Sequence, residues 1–185
     1  MRIEAWDAGF VRATRADIHA VLADVAGYGA WWPGVSARPS SGAVALTVRR
    51  RLPLRPPRRL LLRVTKDRGD LGLRFTVAGE LDGRGEWFYL DEPAGTVVNF
   101  ILHAEAPDRG WRAALRDHRA AVRVALHTLK DRFESGRVPG SEPAPALLAA
   151  QRAAQAAFAA GVAAHARRIA AGRGLPTPAP EAEEG

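Results

Sequence analysis

The clearest hydrophobic pattern in the chain lies between residues 109 and 134. Apolar residues recur there every three or four positions, which is the spacing of one face of an α-helix. They are Trp111, Leu115, Val122, Leu126, Leu129 and Phe133, with His118 in the remaining position of the stripe. Asp108 is suited to be the N-cap and Gly136 to stop the helix, which predicts a helix of about 39 Å. The flank expected to face water carries Arg112, Arg116, Arg119 and Arg123.

Period-two alternation predicts several strands before this helix. The alternating segments are residues 2–12, 44–48, 60–65, 71–77, 85–89 and 98–103. After the first strand, Thr14 and Asp17 form a capping-box-like start for a short helix over 15–25. The segment GYGAWWPGV predicts a second helical turn stopped by Pro33, and SARPSSG is expected to be a loop. Strands followed by a long helix predict an α+β fold with a sheet of six or seven antiparallel strands.

A proline-rich break follows the long helix and suggests the domain organisation. Residues 1–136 are predicted to form the main domain and residues 137–145 a Pro-rich linker. An Ala-rich C-terminal helix is predicted over 146–172 from its helical spacing of apolar residues. The polar, proline-rich tail over 173–185 is expected to be disordered.

Composition narrows the classes of function. The 185 residues carry a net charge of +7 and include no cysteine, so neither disulfides nor thiolate metal sites are predicted. No apolar run is long enough for a membrane span, and a cytoplasmic location is expected. There is no nucleophile elbow, no HExxH segment and no P-loop, and the five histidines form no metal-spaced pair. No metal or other cofactor is therefore predicted.

Three local segments carry a family resemblance, and they are DVAGYGAWWPGV, GRGEWFYLDEPAGTVVNF and LHTLKDRFE. In this order they resemble the START-like superfamily, also called the polyketide cyclase/dehydrase or SRPBCC group. The resemblance implies a helix-grip fold, in which a curved antiparallel sheet wraps a long C-terminal helix, with two short helices after the first strand. The extra C-terminal helix lies outside the family pattern. Members bind lipids, polyketides or other hydrophobic small molecules, and a minority catalyse cyclisation or dehydration.

That fold would place a cavity between the sheet and the long helix. The predicted ligand-binding residues are Trp32, Leu46, Leu62, Leu73, Phe75, Trp87, Tyr89, Phe100, Leu102, Trp111, Leu115, His118 and Val122. Val44, Val64 and Val98 are expected to face inward with them. An apolar lining with few polar groups is typical of small-molecule pockets. The alternative for these residues is that they fill an ordinary core. For Trp32, the alternative is that it packs the short helices against the sheet.

His118 and Tyr89 are the candidates for catalysis, because they are polar groups among apolar ones. His118 could act as a hydrogen-bond donor or an acid/base toward a ligand carbonyl. The preferred alternative is a core histidine bonded to Tyr89 or to a backbone carbonyl, because no carboxylate in the sequence is placed to tune it.

An arginine cluster surrounds a proline-bearing loop and is a candidate for weak contact with anionic membranes. It comprises Arg49, Arg50, Arg51, Arg55, Arg58 and Arg59. The alternative is a solvated hairpin tip, and no module specific for nucleic acid is present. Three functions stay open: a non-enzymatic binding protein, which is preferred; a polyketide cyclase or aromatase using the same cavity; and an interaction protein that uses the C-terminal helix, for example as a homodimer.

Overall fold

The computed structural model describes residues 1–50, 56–135 and 145–172, and these form one antiparallel sheet and four α-helices. The strands are β1 (Arg2–Val11), β2 (Val35–Ser40), β3 (Ala43–Val48), β4 (Arg58–Asp67), β5 (Gly72–Gly79), β6 (Asp82–Glu92) and β7 (Gly95–Glu105). The helices are α1 (Arg15–Ala23), α2 (Tyr28–Trp31), α3 (Trp111–Glu134) and α4 (Pro145–Gly172).

The sheet has the strand order β1-β7-β6-β5-β4-β3-β2, with every neighbouring pair antiparallel. Helix α3 packs on this sheet, mainly against β1. Alternating residues of the strands join the buried face of α3 in one hydrophobic core. The predicted fold class is confirmed: a seven-stranded sheet, short helices after β1, a long helix on the sheet and an extra C-terminal helix.

Strand β2 replaces the loop that the sequence predicted for SARPSSG. It pairs with β3 from Val35↔Val48 to Ser40↔Ala43 and ends the sheet on that side. Pro39 is tolerated because an edge strand needs ladder hydrogen bonds on one side only. The chain then turns through Ser41 and Gly42, both with positive φ. The prediction of a loop was wrong because polar residues and a proline hide the alternation of this strand.

The short helices start where the sequence predicts and end at specific caps. The Thr14 hydroxyl accepts a hydrogen bond from the backbone N–H of Asp17 at 3.2 Å, which confirms the predicted start of α1. Helix α1 ends at Ala23, because the Asp24 carboxylate accepts a hydrogen bond from Gly27 N–H at 3.0 Å and caps a 3-10 turn there. The chain then forms α2, whose C-cap is Trp32. Trp32 has an extended backbone, as the residue before a proline usually has.

Helix α3 begins two residues later than predicted. Its N-cap is Gly110, whose φ of 85° lies in the left-handed region that glycine adopts readily. Asp108 is not the cap, because its carboxylate pairs with the N-terminal amine of Met1 at 3.0 Å. The last helical residue is Glu134, and the predicted stop at Gly136 lies outside the described residues.

The predicted C-terminal helix is present as α4 and makes its main contacts with β6 and β7. Leu147 is buried, although it does not belong to the core beneath α3. The predicted linker over 137–145, apart from its last residue, and the predicted disordered tail lie outside the described residues. None of the described helices is both long and apolar enough to cross a bilayer.

Candidate ligand cavity

A small cavity of about 40 Å³ lies between the inner face of the sheet, α2 and the middle of α3. Its lining is mostly apolar, and five of its side chains carry a polar atom, those of Tyr28, Trp32, Arg58, Trp87 and His118. The lining residues are Tyr28, Trp32, Val35, Leu46, Val48, Arg58, Leu60, Leu62, Phe75, Val77, Leu81, Trp87, Phe100, Leu102, His118 and Ala121. This composition is that of a small-molecule pocket, although the volume is much smaller than usual.

Cross-strand pairing explains how the sheet builds the cavity wall. Leu46 pairs with Leu60 across β3 and β4, and Leu62 pairs with Val77 across β4 and β5. Phe75 is opposite Gly85, and a Cβ atom on that glycine would lie 2.6 Å from Phe75 Cζ. The absence of a side chain at position 85 therefore leaves room for the Phe75 ring beside β6.

Eight of the thirteen predicted ligand-binding residues line this cavity. They are Trp32, Leu46, Leu62, Phe75, Trp87, Phe100, Leu102 and His118. Leu73, Tyr89 and Val122 are buried in the core but do not reach the cavity wall. Trp111 and Leu115 are partly buried and line a groove on another side of α3.

The three further valines expected to face inward differ in how deeply they are buried. Val98 is fully buried and Val44 is partly buried against the core. Val64 is 40% exposed, so the prediction for it was wrong. A β-bulge between Val64 and Lys66 disturbs the pairing with β5, and β4 carries no buried residue beyond it.

His118 faces the cavity and its ring lies 5.3 Å from that of Phe100. Its Nε2 atom is inaccessible to solvent, and no hydrogen-bond partner for it exists among the described residues. Burial lowers the pKa of His118 to about 4, helped by the positive charge of Arg58 and opposed by Asp7. The imidazole is therefore neutral near pH 7.

Among the described residues, neither the Tyr89 hydroxyl nor a backbone carbonyl, the two partners predicted for a core histidine, bonds to His118. The Tyr89 hydroxyl lies 3.5 Å from Nδ1 of His19 instead, and the Nε2 atom of His19 is 3.1 Å from a carboxylate oxygen of Asp67. Burial and the charge of Asp67 raise the pKa of Tyr89. Tyr89 thus belongs to a cluster that fastens α1 to the sheet, away from the cavity.

Arg58 is a cavity residue whose burial was not predicted from the sequence. It is 2% exposed, and its Nη2 donates a hydrogen bond to the carbonyl of Ala114 in α3 at 3.1 Å. Its Nε lies 3.7 Å from a carboxylate oxygen of Glu80. Burial and the nearby charge of Arg50 lower the pKa of Arg58. Membrane contact through Arg58 is excluded by this burial, and that prediction was wrong.

The other described arginines of the predicted cluster differ in exposure. Arg49 and Arg59 are exposed, and Arg50 pairs with Glu80, while Arg51 and Arg55 lie outside the described residues. Sequence reasoning also missed several cavity residues, which are Tyr28, Val35, Val48, Leu60, Val77, Leu81 and Ala121. Arg58 lies on the same face of β4 as Leu60 and Leu62, and this alternation could have identified it as an inward-facing residue.

Two adjacent tryptophans, Trp31 and Trp32, lie at the end of α2, and Trp32 lines the cavity. Their rings stack with centroids 5.7 Å apart, and both are buried. The indole Nε1 of Trp32 donates a hydrogen bond to the carbonyl of Ala121 at 3.0 Å, so the α2 turn is tied to α3. No group of three or more potential metal-ligating side chains occurs in the described part of the chain.

No protein-family model and no curated protein matches the sequence. Among solved structures, a START superfamily protein from Mycobacterium smegmatis matches with a TM-score of 0.59 and 13% identity, over 71% of this chain and 97% of that one. The Zhui aromatase/cyclase from Streptomyces sp. R1128 matches with a TM-score of 0.52 and 18% identity, over 74% and 99%. The Aha1 dimer from Colwellia psychrerythraea has a TM-score of 0.51 and 18% identity, over 74% and 99%. The chain therefore has the helix-grip fold of the START-like (SRPBCC) superfamily.

Proposed function

We propose that the chain binds a hydrophobic small molecule between the sheet and α3, with a polar group of the ligand held at His118 and Arg58. The observation that carries this proposal is that His118 lines an apolar cavity while its buried Nε2 atom has no protein partner in the described residues. A polar group buried without a hydrogen bond is costly, and a ligand acceptor or donor would relieve that cost.

The cavity must widen for this function. A volume of about 40 Å³ holds only a few water molecules, whereas pockets for small organic ligands measure roughly 300–1,000 Å³. Widening would separate the α2 turn from α3, which are joined by the hydrogen bond from Trp32 to Ala121. The apolar lining favours a ligand that is mainly hydrocarbon or aromatic, because its affinity would come from buried apolar area.

The test is native mass spectrometry of protein purified without added ligand, followed by extraction and identification of any bound molecule. Ala121→Leu fills the cavity from α3 and should abolish the bound mass. Ala120→Leu is the matched control, because the neighbouring alanine lines the outer groove of the same helix. Two results together would contradict the proposal. The first is that the purified protein shows only its ligand-free mass. The second is that 1-anilinonaphthalene-8-sulfonate either does not bind or binds equally well to the Ala121→Leu variant.

A cyclase-type activity in the same cavity is the second candidate. It is favoured by the neutral imidazole of His118 on the cavity wall, which could accept a proton from a bound polyketide. Tyr89 has no part in it, because its hydroxyl lies beside His19. His118→Ala should then remove turnover of a linear poly-β-ketone substrate and leave its binding largely intact. Equal loss of binding and turnover would favour simple binding.

A role for α4 in self-association is a separate question. Val162 and Ile169 are exposed apolar residues on this helix. The measurement is solution mass by light scattering for the full chain and for a chain truncated after residue 135. A dimer that becomes a monomer on truncation would assign assembly to the C-terminal region, and equal oligomeric states would remove that role.

A further inference from the structure

One side of α3 carries a positively charged groove of about 350 Å³ that the proposed function does not use. We name it the arginine groove. It is lined by Trp111, Arg112, Leu115, Arg116, Arg119, Ala120 and Arg123. The four arginines follow one another at intervals of four, three and four residues, so they form a single row about 16 Å long on the helix.

A buried carboxylate holds two of these arginines in place. The Asp7 side chain, on the inner face of β1, is 4% exposed and lies 3.2 Å from Nε of Arg119 and 3.0 Å from Nε of Arg123. The two arginine side chains remain 42% and 61% exposed. Burying a carboxylate is costly unless it is paired. Asp7 thus anchors two guanidinium groups from below and leaves their outer N–H groups facing solvent.

The charge of the groove is not neutralised. Arg112 and Arg116 are exposed and make no ion pair with any described residue. Four guanidinium groups against the single carboxylate of Asp7 leave a local charge of +3. A site of this charge favours an anionic partner, and guanidinium groups pair well with phosphate oxygens.

The apolar part of the groove distinguishes among anionic partners. Trp111 and Leu115 are only partly buried, so an aromatic and an aliphatic surface lie in line with the arginines. Nucleic-acid bases would need a free aromatic face for stacking, but the Arg112 guanidinium already lies 5.1 Å from the centre of the Trp111 ring. A helix face that combines arginines with tryptophan and leucine suits the interface of a membrane.

We propose that the arginine groove docks the protein on membranes rich in anionic phospholipids. Lipid phosphate groups would occupy the row from Arg112 to Arg123, and Trp111 would lie at the level of the head groups. This inference does not depend on the proposed function, because it uses the outer side of α3 and not the cavity.

The test is co-sedimentation of the full chain with phosphatidylcholine vesicles, with and without phosphatidylglycerol. We expect binding only to the anionic vesicles, and we expect Arg112→Glu/Arg116→Glu to weaken it at least about tenfold. The matched control is Arg63→Glu/Arg84→Glu, which makes the same charge change at exposed residues of β4 and β6 and should weaken binding less than about twofold. If the glutamate variant of the groove fails to fold, Arg112→Gln/Arg116→Gln replaces it.

Three outcomes would overturn the proposal. The first is no binding of the unmodified chain to anionic vesicles. The second is equal weakening by both double variants, which would mean attraction by overall charge alone. The third is groove-dependent binding to an acidic protein or an oligonucleotide without groove-dependent binding to vesicles, since it would assign the groove to that partner.

Discussion

The indole Nε1 of Trp87 donates a hydrogen bond to the Tyr28 hydroxyl at 3.1 Å, and that hydroxyl donates to the carbonyl of Leu22 at 2.7 Å. This relay joins the sheet to the short helices beside the cavity. Both aromatic residues are buried, and burial raises the pKa of Tyr28 far above its ordinary value. Tyr28 therefore stays protonated, and its hydroxyl can act as donor and acceptor at once.

Tyr28→Phe should lower the free energy of unfolding by about 1–3 kcal/mol, because it leaves the Trp87 indole and the Leu22 carbonyl buried without partners. Urea unfolding followed by circular dichroism measures the change. Tyr89→Phe is the control: its hydroxyl makes only a 3.5 Å contact with His19, so a smaller loss is expected. Equal losses for the two variants would show that the relay adds nothing beyond packing.

The His118 pKa predicts a loss of stability in acid. The pKa is about 4 in the folded chain and near 6.5 when unfolded, so the unfolded state binds the additional proton as pH falls through that window. The contribution is fully present above pH 6.5, and about 2 kcal/mol of it should be lost by pH 5. Unfolding free energies of the natural chain and of His118→Gln, measured from pH 7 to 5, isolate this residue. Parallel pH profiles would contradict the shifted pKa.

Two glycines should respond to alanine in opposite directions. Gly85→Ala places a methyl group against the Phe75 ring and the backbone of Ile101, and overpacking of this kind costs about 1–3 kcal/mol. Gly161→Ala in α4 meets nothing within 4 Å and should raise helix stability by about 0.5–1 kcal/mol. Thermal unfolding of both variants measures these effects. A neutral Gly85→Ala would mean that Phe75 moves freely into the cavity.

Asp7→Asn tests the anchor beneath the arginine groove. The variant keeps the size of the side chain but removes its ion pairs with Arg119 and Arg123. Since both arginines are substantially exposed and regain water, the loss should be only about 1 kcal/mol. Asp108→Asn, in an exposed pair with the N-terminal amine, should cause no measurable change. Guanidinium is unsuitable as denaturant because it screens ion pairs, so urea unfolding at low salt is the measurement.

The sequence was enough to predict the fold, because alternation marked six of the seven strands and the stripe from Trp111 to Phe133 marked α3. The rule for helix N-caps also predicted the start of α1 at Thr14 correctly. Strand β2 was missed because an edge strand needs neither strong alternation nor freedom from proline. The start of α3 was misplaced because the Met1 amine, distant in sequence, takes Asp108 away from the helix.

The cavity was only partly predictable. Parity along the strands identified Leu46, Leu62 and Phe75, but it could not show where along a strand the cavity ends. Leu73 has the same parity as Phe75 and is buried in the core away from the cavity. Arg58 was placed on the surface because its charge outweighed its position, although a hydrogen bond to Ala114 and the nearby Glu80 permit its burial. Such partners depend on tertiary structure, and a sequence pattern does not contain them.

The hydrogen bond from Trp32 to Ala121 spans 89 positions of sequence and has consequences for exchange kinetics. A molecule entering or leaving the cavity between these elements must first break it and separate the stacked indole rings of Trp31 and Trp32. One neutral hydrogen bond contributes roughly 1 kcal/mol, so this local opening would be frequent compared with global unfolding. Trp32 should therefore influence the residence time of a ligand more than its equilibrium affinity.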